Sequence, residues 1–150
     1  MNAVTEVTER RVAFINFVGR LVDAAAQAEC ALSEAQAASR NETHVFFCSP
    51  QSVAAQASLE LLQPEIFDLR ESWGSYDSES PVTALIDLAD SVVSHSLTTF
   101  YLGTFEDSLA TQGRSASSVR QLKALTKAAQ QTSAMLAPLP SGVVRLTARQ

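Results

Sequence analysis

The chain has little of what sites of chemistry are usually built from. Its 150 residues hold two cysteines, Cys30 and Cys48, two histidines, His44 and His95, and five glycines. The histidines and cysteines form no HExxH-like or CxxC-like arrangement, which excludes the common zinc motifs. The scattered glycines make no phosphate-cradling loop, and none of the many serines sits in a Gly-x-Ser-x-Gly elbow. No catalytic residue, metal ligand or cofactor site is assigned on these grounds, and a non-catalytic protein is expected. A basic leader followed by an apolar run is also missing: the chain opens Met-Asn-Ala-Val-Thr-Glu-Val-Thr-Glu-Arg-Arg, and a cytoplasmic protein is expected. In that reducing compartment Cys30 and Cys48 are expected to be small buried hydrophobes. They would pair as a disulfide, and the sequon Asn41-Glu42-Thr43 would matter, only in an exported protein.

Long apolar runs are absent too. Arg20, Asp23, Asp87, Asp90 and Glu106 interrupt the richest segments, so no stretch reaches the roughly 20 residues of a membrane-spanning helix. With 46% hydrophobic and only 18% charged residues, however, the composition excludes intrinsic disorder. A chain of this length buries enough surface to stand as one domain without disulfides or metals.

What is present is helical patterning. Phe14, Val18, Leu21, Ala25, Ala28, Leu32 and Ala35 alternate steps of four and three, which predicts one helix over about residues 4–40 with a seam at heptad spacing. The alanines let a partner helix approach closely, with Glu29, Glu34 and Gln36 facing water. Ser49-Pro50 predicts a second helix start, with serine as cap and proline in the first turn. That helix is expected to bury Val53, Ala54, Ala57 and Leu61, to reset at Pro64, and to continue the core with Ile66, Phe67 and Leu69. The segment Ser72–Glu79 reads as a loop carrying Trp73 and Tyr76. Those aromatics serve either as a lid on the core or as a contact surface. Ser80-Pro81 repeats the start signal for a helix apolar on several faces through Val82, Leu85, Leu88, Ala89, Val92, Val93 and Phe100. It is expected to end near Gly113. A last helix carries Val119, Leu122, Leu125, Ala129 and Leu136 and ends at Pro138. The tail around Ser141–Leu146 is a short strand or an arm. The expectation is thus an all-α, single-domain bundle of four to five helices, with a helical domain over 1–137 and a tail over 138–150.

Acids are missing from the C-terminal third. All sixteen lie at or before Asp107, whereas Arg114, Arg120, Lys123, Lys127, Arg145 and Arg149 follow it, and the net charge of −5 hides this order. Three causes compete: the last helix lies against acidic helices of its own fold, it binds nucleic acid, or it meets an acidic surface on another subunit. Dispersed cations without interleaved aromatics make a poor nucleic-acid surface. Opposite charges at two ends of a subunit favour head-to-tail contacts.

Of the polar clusters, Asp87 and Asp90 share a helix face at i, i+3, while His95 lies about 140° away at roughly 100° per residue. Adjacent Glu106 and Asp107 point in different directions and read as a solvated segment rather than paired catalytic carboxylates.

The stretch Ser80-Pro81-Val82-Thr83-Ala84-Leu85-Ile86-Asp87-Leu88, with Asp107-Ser108-Leu109-Ala110-Thr111-Gln112 after a gap, resembles the killing-trait family of refractile-body proteins. The resemblance covers residues 80–112, lacks the glutamine run that follows in the family, and implies a small helical subunit that assembles into coiled ribbons. Phe47-Cys48-Ser49-Pro50 with Val53 resembles a segment of Tai-type immunity proteins of type VI secretion, which implies a periplasmic partner-binding module.

The reading that follows is a helical interaction or self-assembly subunit whose partner is a further copy of itself. Trp73, Tyr76, Arg114, Arg120, Lys123 and Lys127 are the candidate contact residues. A binding module for one partner protein, contacted through Trp73 and Tyr76, is the alternative. A small-ligand binder or enzyme using Asp87, Asp90 and His95 is a third reading.

Overall fold

Two serines start two of the helices as their spacing predicts. The structure, a computed structural model, describes residues 3–37, 46–73, 80–105 and 109–136, and side-chain surroundings over 9–37, 46–73, 80–104 and 112–136. Ser49 Oγ accepts the backbone N–H of Ser52 at 3.3 Å, and Ser80 Oγ accepts that of Thr83 at 3.1 Å. Each cap satisfies an amide that has no partner inside its helix and contributes about 1 kcal/mol.

Four α-helices and no strand are formed among the described residues: α1 (Ala3–Ala37), α2 (Pro50–Trp73), α3 (Pro81–Phe105) and α4 (Leu109–Leu136). α1 packs on α2 and α4, and α3 packs on the same two, so α2 and α4 occupy diagonal corners of a four-helix bundle. Neighbours run antiparallel. Along α1, Arg20 meets Glu65, Gln27 meets Ser58 and Cys30 meets Gln51, so one helix rises as the other descends.

All seven residues of the α1 seam, Phe14 through Ala35, are buried. The seam is bulky at one end, with Phe14, Phe17 and Leu21, and alanine-rich at the other. At the alanine end the ring of Phe47, just ahead of α2, packs edge-on against Phe100 with centroids 5.9 Å apart. Small residues on one helix are thus complemented by aromatics on the others, which keeps the core close-packed along its length.

α2 departs from the sequence expectation. Its buried side is Ser52, Ala55, Leu59, Leu62, Ile66 and Leu69, while Val53, Ala54, Ala57, Leu61 and Phe67 are exposed. Both sets follow helical spacing, and the inward one is the stricter alternation of three and four. The helix also runs through Pro64 without resetting. Pro64 and Glu60 both lie on the outer side, so the Glu60 carbonyl that loses its amide donor faces water.

Four further expectations are corrected. Ser72 and Trp73 belong to α2 rather than to a loop, and α3 ends at Phe105, with Gly113 inside α4 instead of capping a helix. Cys30 and Cys48 are free thiols on the surface, not buried hydrophobes. Glu29 is partly covered, where full exposure was expected. Tyr76, His44, Glu106, Asp107 and the tail over 138–150 lie outside the described residues. No helix among the described residues is long and apolar enough to cross a membrane.

Candidate interaction surfaces

Exposed apolar groups concentrate on the outer side of α2. Val53 is 55% exposed, Leu61 74% and Phe67 63%, and Ala57 and Pro64 lie between them on the same face. At 100° per residue this stripe sits opposite the buried one, so α2 is apolar on two sides, whereas a surface helix ordinarily presents polar residues outward. The stripe spans about 21 Å of helix axis at 1.5 Å per residue. Glu60, Asp68 and Glu71 are exposed within and beside it.

The diagonal corner has the opposite character. α4 contains Arg114, Arg120, Lys123 and Lys127 and no acid. Arg120, Lys123 and Lys127 are exposed and share one face at spacing i, i+3, i+7, among exposed Ala124, Gln131 and Ala134. Arg114 is half-buried. Lys123 Nζ lies 3.8 Å from Glu29 Oε1 on α1, so one of the cations meets an acidic helix of the same fold. A surface pair of that length contributes little, about 0–1 kcal/mol, and Arg120 and Lys127 lie exposed on the outer face.

Trp73 sits at the opposite end of α2 from its capping serine. Its ring meets Phe14 edge-on, with centroids 6.0 Å apart, and the Arg10 guanidinium lies 5.3 Å above it. Trp73 is half-buried, and its Nε1 has no hydrogen-bond partner among the described residues. The geometry is that of a ring folded back over the end of the core. Its sequence neighbour Tyr76 falls outside the described residues, so the two are not brought together here.

The acidic pair on α3 has a partner on α2. Arg70 reaches Asp87 Oδ1 at 3.0 Å and Asp90 Oδ2 at 3.1 Å, and these hydrogen bonds, first to Asp87 and then to Asp90, hold its guanidinium above the ordinary arginine pKa. Arg20 is raised in the same way by its hydrogen bond to Glu65. His95 lies further along α3, where its backbone carbonyl accepts Thr99 Oγ1. No group of three or more histidine, cysteine or acidic side chains placed to hold a metal occurs among the described residues. An open groove of about 530 Å³ between α2 and α3 is lined by Gln56, Glu60, Gln63, Leu97 and Tyr101 among others, and Asp87, Asp90 and His95 do not line it.

The stripe on α2 is the feature that sequence reasoning misassigned. The available signal was the second seam: Ser52, Ala55, Leu59, Leu62, Ile66 and Leu69 already fill the inward face, which leaves Val53, Leu61 and Phe67 facing out. Comparison with family models, with curated proteins and with solved structures finds no match to this chain.

Proposed function

We propose that the protein is a non-catalytic helical subunit that assembles with copies of itself in the cytoplasm. The observation that carries this reading is the outward apolar stripe of α2, Val53-Ala57-Leu61-Pro64-Phe67, which the fold itself leaves uncovered among the described residues. Contiguous exposed apolar surface on a folded domain marks a site of association, since covering it returns roughly 25 cal/mol per Å². The segregation of charge supports self-association over capture of an unrelated partner, because one chain carries both an acidic corner and a basic one. Trp73, packed on Phe14, serves the fold under this reading.

Size-exclusion chromatography with light scattering tests it. At low salt the full chain is expected to elute above its 16.1 kDa subunit mass, and to shift toward that mass at high salt as the charged contacts are screened. A strict monomer at both salt concentrations contradicts the reading.

A further inference from the structure

We infer that the basic face of α4 on one copy docks onto the acid-flanked apolar stripe of α2 on the next, an inference that rests on the self-assembly reading. The two faces match in chemistry and in length. On α2, Leu61 and Phe67 project from a face that also carries Glu60, Asp68 and Glu71. On α4, the exposed positions Arg120, Ala124, Lys127, Gln131 and Ala134 alternate steps of four and three, with small residues set between long ones. Small residues give room for Leu61 and Phe67, while the aliphatic stems of Arg120 and Lys127 cover apolar surface and carry their charges to the acids within and beside it. Each face extends about 21 Å, so the contact is a helix laid along a helix.

The alternative of two α2 faces meeting each other brings Glu60, Asp68 and Glu71 against their own copies, and like charges across an interface oppose association. The alternative of two α4 faces meeting does the same with Arg120 and Lys127 and buries little apolar surface. Pairing α2 with α4 avoids both.

The position of the two helices then sets the symmetry. α2 and α4 stand at diagonal corners of the bundle, so their outer faces point in opposing directions. A contact between unlike, opposed patches is heterologous: every added copy presents a fresh α2 face and a fresh α4 face, and the assembly grows as an open chain of subunits. One helix-on-helix contact of this length lies at the small end of stable interfaces, so growth depends on protein concentration and on salt.

Two blocked variants test the pairing. Leu61→Lys/Phe67→Lys spoils the α2 face, and Arg120→Gln/Lys127→Gln spoils the α4 face without making it complementary to the lysines; all four positions are exposed. Each variant alone is expected at the subunit mass under conditions where the wild type is larger. Mixed in equal amounts, they retain one good α2 face and one good α4 face, so a single species at twice the subunit mass is expected. Helix content by circular dichroism checks that each variant folds; if the paired lysines reduce it, Glu60→Lys/Glu71→Lys replaces them on the α2 side. A mixture that stays at the subunit mass overturns the pairing while a wild-type oligomer preserves self-assembly. An α4 variant that assembles like the wild type overturns it in favour of contact between two α2 faces. A monomeric wild type overturns both.

Discussion

The ring of Phe47 rests on the bare backbone of Gly103: a Cβ placed there would stand 2.5 Å from the ring. The same ring packs edge-on against Phe100, one turn away on α3, so shifting it would disturb that contact. Alanine in place of glycine within a helix ordinarily adds up to about 1 kcal/mol of stability. At Gly103 the overpacking reverses the sign, and Gly103→Ala is expected to destabilise by about 1–3 kcal/mol. Urea unfolding measures it, and a stabilised variant would show that Phe47 does not pack there. Gly113, which has no neighbour within 4 Å of such a Cβ, serves as the control, with Gly113→Ala stabilising.

Thr99 and Ser118 join α3 to α4 inside the core, with hydroxyls 2.9 Å apart. Thr99 donates to the His95 carbonyl at 3.1 Å, which leaves the Ser118 hydroxyl as donor to Thr99. Thr99→Val strands that buried donor and is expected to lose about 1–3 kcal/mol. Thr99→Val/Ser118→Ala removes both partners and is expected to lose less than the two single changes summed. A double-mutant cycle reads the coupling, and strict additivity would argue against the bond.

Arg20 and Arg70 have folded pKa values raised above the ordinary arginine value. A raised value contributes stability that is fully present below the unfolded pKa and is lost only as pH rises through the folded one. Both limits lie far into alkali, so these arginines add no slope to stability between about pH 6 and 9. Arg70 and its partners Asp87 and Asp90 are well exposed, and Arg70→Gln is expected to lower stability by no more than about 1 kcal/mol, with the loss shrinking in salt. A loss several times larger, measured by denaturation across that pH range, would contradict the exposed placement of Asp87 and Asp90.

The Trp73 ring, between Phe14 and Arg10, closes one end of the core. Trp73→Ala is expected to lower stability by roughly 2 kcal/mol through the lost edge contact and cation–π contact. Its solution mass is expected to match the wild type at temperatures where both are folded. Loss of association with unchanged stability would instead assign Trp73 to a contact surface.

The all-α bundle was legible in the sequence because periodicity and capping agree: Phe14 to Ala35 is unbroken, and both Ser-Pro pairs cap helices. The face of α2 was not. Its two apolar seams differ by about half a turn, and the signal that separates them is slight: the buried one is the stricter alternation of three and four. Pro64 misled for a related reason: a proline on the outer side leaves its orphaned carbonyl to water, so the helix continues. The surface position of Cys30 also follows from register, since Ala28, Ala31 and Leu32 around it take the buried side. The acid-then-base charge order was visible in the sequence, but its diagonal placement on α2 and α4 depends on which helices become neighbours.

The central claim is that this subunit grows into an open chain through unlike faces. Light scattering of the full chain at low salt, over a wide range of protein concentration, tests it most directly. The mass is predicted to rise continuously above 16.1 kDa with concentration and to fall when salt is added. A mass fixed at 16.1 kDa throughout, or a plateau at a dimer, would contradict it.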